Sequence, residues 1–273
     1  MHALRNRVSS WPVLSFFTLA VWFSWTYWLV LLARGEQVRP GSSVSHLPGL
    51  MGPMLAAIVV TWLGFGRGEL RALFRSALTP PRPVLRNALL AVSPVGIGGA
   101  VFLGLAAAGS AFPSLEAFGM YPGLPVGVPL PLAFFAVLVL NGYGEEVGWR
   151  GFATRHLVRR LGKFKATLAV AAMWLVWHVP LFWLVANMQG LVGPALLGWA
   201  FGLLCGAFVL TGLYLTAGNS ILVVAVWHTL YNFTVATPAG TGTAAALIST
   251  VVMAWGAYFA LVWWRRARDE SNA

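Results

Sequence analysis

Apolar residues in this chain gather into eight long runs, at 11–33, 49–65, 88–108, 128–143, 166–186, 191–213, 220–236 and 244–264. Polar, basic or proline-rich segments separate them. A helix needs about 20 apolar residues to cross the hydrocarbon of a bilayer, and the runs approach that length. The pattern predicts an all-α, polytopic integral membrane protein with eight transmembrane helices, folded as a single transmembrane domain over 1–273. The first run is followed by Gly35-Glu-Gln-Val without a small-x-small cleavage signature, so it predicts a retained helix rather than a removed signal peptide. Between the second and third runs, 69–77 predicts an interfacial helix that Pro80-Pro81 brings to a stop. The segment 109–127 carries Glu116 as its one charge and is broken by Pro113, Pro122 and Pro125.

Composition strengthens this picture. Only 9% of residues are charged against 59% hydrophobic, whereas soluble domains carry about a quarter charged residues. A net charge of +11 raises the question of nucleic acid, but its distribution argues against that partner. With the N-terminus inside, 16 of the 18 Lys and Arg fall on segments facing one side, and only Arg34 and Arg39 fall on the other. That bias predicts both termini in the cytoplasm; the expected location is a bacterial-type cytoplasmic membrane, spanned several times. The one cysteine, Cys205, lies inside an apolar run and excludes an intrachain disulfide framework or a cysteine-built metal cluster.

Candidate chemistry centres on Asn141-Gly-Tyr-Gly-Glu-Glu-Val-Gly-Trp-Arg-Gly151. Two of the chain's seven acids, Glu145 and Glu146, stand there at the end of an apolar run. A carboxylate at such depth costs about 2.5–3.5 kcal/mol even on lenient scales, which calls for a use. Arg150 follows Glu146 by four residues, so the two pair on one helical face. Trp174 and His178, and likewise His228 and Asn232, share a face at the same spacing. The predicted topology puts the Glu pair at the cytoplasmic end of the fourth helix. The same topology sets His178 and His228 about 12–18 Å below that interface, around a cytoplasm-facing cavity.

Taken singly, these patterns read blandly: a packing histidine, a tryptophan wall, a helix-end ion pair. Together, in so acid-poor a chain, they read as a hydrolytic site. Glu145 suits the general base for water, with His178 holding and polarising that water. His228 and Asn232 suit the oxyanion, and Arg150 keeps Glu146 ionised. Two histidines and two carboxylates also have the ligand chemistry for zinc, which would sit on Glu145, His178 and His228. No His-Glu-x-x-His helix is present, and a metal-free site without any cofactor is the favoured version. His2, His46 and His156 lie in or near loops and receive no role, and Asp269-Glu270 reads as a solvated tail.

Glu145-Glu146-x-x-x-Arg150, Trp174-x-x-x-His178 and His228-x-x-x-Asn232 resemble the signature motifs of the CAAX protease and bacteriocin-processing family. The resemblance covers roughly 130–236, the expected catalytic core. It implies an eight-helix intramembrane endopeptidase opening toward the cytoplasm. Glu145 would activate water with His178, and His228 and Asn232 would hold the oxyanion. The family's aromatic position is commonly Phe and is Trp174 here. The implied partner is a peptide or membrane-protein segment, prenylated or not, within the lipid bilayer. Two alternatives stand beside this reading: a non-catalytic binding or scaffold protein of the bacteriocin-immunity type, and a proton-coupled transporter. The second is disfavoured because no repeated half-helix arrangement is visible.

Overall fold

The computed structural model describes residues 2–272, so Met1 and Ala273, the limits of the expected single domain, lie outside the described residues. The described secondary structure is helical apart from two isolated bridges. Each of the eight apolar runs contains a helix. The first is Pro12–Ala33, and the second opens as the 3-10 turn Leu47–Met51 and continues as Gly52–Phe65. Val84–Ala91 and Ser93–Ala107 form the third, bent by 46°. The sixth, seventh and eighth are Pro194–Thr216, Ile221–Val235 and Thr243–Asn272. By length and apolar composition five helices among the described residues suffice to cross a membrane, or six if the bent pair is one span. That count takes Leu130–Trp177 as one stretch of 48 residues and leaves out the short Ile221–Val235.

The 48-residue stretch is in fact two helices. Gly162 has φ 70° and ψ 171°, a conformation that glycine tolerates and that breaks the helical path. The Trp174 indole Nε1 donates to a Glu145 carboxylate oxygen at 2.6 Å. Those residues are 29 apart in sequence, and a straight helix would separate them by about 40 Å. The chain therefore doubles back at Gly162 into a helical hairpin, and Trp149 meets Trp177 across it with ring centroids 5.8 Å apart.

Two expected boundaries are corrected. The fourth helix does not end at 143 but continues to the Gly162 turn, so the Glu pair lies in its interior. Glycines that disfavour a free helix are used here for close packing instead. The fifth helix runs over 163–177, not 166–186, and His178 is its C-cap. Pro180 has no N–H to continue the ladder and disfavours helical geometry in the residue before it, so the apolar run beyond breaks into the short turns Leu181–Leu184 and Ala186–Gln189.

The connections fall into two sets at opposite ends of the bundle. At one end Arg155 pairs with Glu69 at 3.1 Å, Arg86 donates to the Thr216 carbonyl at 2.9 Å, and Ser220 donates to that of Thr79 at 3.3 Å. At the other, Val38 bridges to Val185 and Pro40 to Pro122. The first set carries the basic segments around 67–86 and 155–165, whereas the second carries Arg34, Glu36, Arg39 and Glu116. The expected segment is helical, as Arg67–Leu78. It turns Leu73 and Ala77 into the bundle and leaves its arginines outside. The N-terminal segment is also helical, over His2–Ser10.

Candidate active site

The Glu pair sits between two π-helical segments, Leu138–Tyr143 and Val147–Thr154. Such wider turns are rare, and they recur at functional sites because they re-aim side chains without breaking the helix. The glycines around the pair admit close neighbours. A methyl on Gly148 would lie 2.5 Å from the Pro53 Cβ and 2.7 Å from the Pro53 carbonyl oxygen. On Gly144 it would lie 2.9 Å from the Leu50 carbonyl oxygen. Gly148→Ala is therefore expected to destabilise the protein by about 1–3 kcal/mol, the usual cost of overpacking. Reversible unfolding of the purified variant in mixed micelles checks this, and Gly68→Ala, at an open position on another helix, should be far milder.

Two adjacent polar networks grow from the pair. In the first, Asn141 donates to Glu145 Oε1 at 2.6 Å and Trp174 donates to Oε2 at 2.6 Å. Asn232 extends it by donating to the Asn141 carboxamide oxygen, also at 2.6 Å. In the second, Glu146 Oε1 accepts from Arg150 Nη1 at 2.9 Å and from His228 Nδ1 at 2.8 Å. The networks touch through Trp174. The Arg150 guanidinium lies 4.6 Å from the centre of the Trp174 indole, and the His228 ring meets that indole edge-on at 5.6 Å. Glu145 is 2% exposed, and Glu146 and Arg150 are fully buried.

Hydrogen bonding fixes the histidine tautomers. His178 Nδ1 lies 2.7 Å from the Trp174 carbonyl oxygen, which can only accept, so Nδ1 carries the proton and Nε2 keeps its lone pair. By the same argument His228 points Nδ1–H into the Glu146 carboxylate and leaves Nε2 for another partner. His178 is boxed by the rings of Trp177 and Trp199, at 4.9 and 5.4 Å. It is linked to Glu145 through Trp174. Glu145 stands 17 residues before the Gly162 turn, about 25 Å of helical rise, so it lies well inside its helix rather than at the end.

The structure thus joins Glu145, Trp174 and Asn232 in one network and Glu146, Arg150 and His228 in the other. Three further residues belong to this neighbourhood. Asn141 was legible, since it precedes Glu145 by one helical turn. Tyr121, from the proline-rich 109–127 segment, was not. Burial, reinforced by the Glu145 charge, holds its hydroxyl above the ordinary tyrosine range against an opposing hydrogen bond with Asn232. His46, given no role from sequence, is buried. Its desolvation, followed by nearby His178, pulls it down to about 4, so it is neutral at pH 7. Among the described residues no three His, Cys, Asp or Glu side chains gather in a manner that could hold a metal ion.

A family match falls on the same region. Residues 127–234 match the family described as type II CAAX prenyl endopeptidase Rce1-like. A curated relative named CAAX prenyl protease 2, from Methanococcus maripaludis, is 29% identical over 107 residues. That alignment covers 38% of this chain and 39% of the relative's length. All the residues of the two networks lie within the matched segment. Residues 127–234 therefore carry a domain similar to the Rce1-like CAAX endopeptidases, set in an all-helical bundle with several membrane-length apolar helices.

Proposed function

We propose that this protein is an intramembrane endopeptidase that hydrolyses peptide bonds of membrane-associated or lipid-modified substrates with a water activated by Glu145. The observation that carries the reading is the Glu145 carboxylate, buried and gripped on both oxygens by Asn141 and Trp174. Each of its oxygens has a second lone pair for a water. Glu145 takes the proton of that water as its oxygen attacks the scissile carbonyl, and later delivers the proton to the leaving amine nitrogen. His178 offers its Nε2 lone pair to the same water. Asn232 and His228, the latter backed by Glu146 and Arg150, are the groups assigned to the developing oxyanion. No metal takes part in this scheme. Eight spans, with the basic end and both termini in the cytoplasm of a bacterial-type membrane, complete the proposal, supported by the segregation of basic connections to one end.

The test is cleavage of a panel of prenylated and unmodified membrane peptides by purified protein in proteoliposomes. His178→Ala is expected to lower turnover by about 10²–10⁴-fold, the range of a lost general acid–base partner. His228→Ala is expected to lose about 10²–10³-fold through the oxyanion. Wild-type rates in both variants would remove the assignment. The full engagement of Glu145 also favours a second reading, a non-catalytic binding protein, which predicts tight peptide binding and no cleavage across the same panel.

A further inference from the structure

Away from the site, an apolar cleft of about 380 Å³ opens between the sixth and eighth helices, lined by Phe164, Phe201, Cys205, Phe208, Ala260, Trp264 and their neighbours. Its floor is tight, because the two helices meet where Gly256 packs on the backbone of Cys205. Its walls face outward: Phe201 is 52% and Trp264 43% exposed. One end of the cleft is strongly basic. Phe164 is flanked by the exposed Lys163 and Lys165, and Trp264 is followed by the exposed Arg265 and Arg266. Arg268 lays its guanidinium 5.8 Å from the Trp264 ring centre, and Asp269 and Glu270 come next on that helix. A second cleft, of about 440 Å³, is lined by Gly96, Ile97, Ala100, Val101 and Val251 and has no charged residue within one helical turn of its lining.

We propose that the first cleft binds one anionic phospholipid from the leaflet at the basic end. Its acyl chain lies along Phe201, Phe208 and Ala260, and its phosphate meets Lys163, Lys165, Arg265 and Arg266. The two halves of the site select this ligand together. A zwitterionic lipid fills the apolar half but brings no net charge to four cations, whereas free phosphate meets the cations but leaves the cleft open to lipid tails. Basic pockets between membrane helices take anionic headgroups on this principle, with each cation near the surface contributing about fivefold in affinity.

Native mass spectrometry of the whole protein, titrated with phosphatidylglycerol, phosphatidylcholine or inorganic phosphate, tests the proposal without reference to proteolysis. Phosphatidylglycerol is expected to bind at least about fivefold more tightly than phosphatidylcholine, and phosphate should not compete at equal concentration. The combined Lys163→Gln, Lys165→Gln, Arg265→Gln and Arg266→Gln variant should bring the two lipids level. Ala260→Phe, which fills the cleft, should remove the tight phosphatidylglycerol site, and Ala100→Phe in the uncharged cleft should leave it intact. Equal affinities in the wild type, or a preference that survives either the charge variant or Ala260→Phe, overturns the assignment.

Discussion

Glu145→Gln is expected to reduce peptide cleavage by at least about a thousandfold, with the fold retained. The substitution keeps the shape of the side chain and removes the carboxylate that the proposed mechanism uses to accept a proton from water. General acid–base groups contribute about 10²–10⁴-fold, and the proposed scheme uses Glu145 twice, first as base and then as donor to the leaving nitrogen. The hydrogen-bond pattern adds to the loss. Both Glu145 oxygens accept from protein donors, whereas a carboxamide has one acceptor oxygen and turns an NH₂ toward the other donor. Either Asn141 or Trp174 must then let go. Cleavage assays and unfolding midpoints on the same preparation separate the chemistry from the fold. Wild-type turnover in this variant would end the case for a glutamate-activated water.

Arg150→Leu is expected to have the largest effect on stability, a loss of about 3–5 kcal/mol, because it strands the buried Glu146 charge. Arg150 and Glu146 are both fully buried, and their contact at 2.9 Å spans one helical turn. His228 shares the same carboxylate oxygen and stays as its hydrogen-bond donor. Adding Glu146→Gln to Arg150→Leu should restore much of the stability, since removing both charges of a buried pair costs far less than removing one. Arg150→Lys should fall between, as a lysine keeps the charge but loses the flat contact with Trp174. Unfolding in mixed micelles reads all three. An Arg150→Leu protein as stable as wild type would overturn the view that this ion pair holds the bundle together.

The helices were legible because a bilayer asks for long apolar runs, and each of the eight runs contains one. Their ends were less so. The Gly-Glu-Glu stretch reads as a terminus by propensity, yet the close approach of Pro53 and Leu50 turns those glycines into packing positions inside a longer helix. The apolar run after His178 hides the stop that Pro180 imposes. Within the site, scarcity of acids exposed Glu145 and Glu146, and four-residue spacing exposed Arg150. Trp174 was read as a wall, and only the fold shows its N–H on the Glu145 carboxylate. Tyr121 carries no periodic signal in its proline-rich segment and is brought in by the bundle alone.

The hairpin at Gly162 has a consequence for how the chain enters the membrane. Glu146 and Arg150 neutralise each other on one helix, and the donors Asn141 and Trp174 reach Glu145 from within the same hairpin. The costliest groups of the protein can thus cross the translocon with their partners already attached, about fifty residues before His228 is synthesised. Assembly of the candidate site then begins with a self-contained pair of helices, and the later helices close around it.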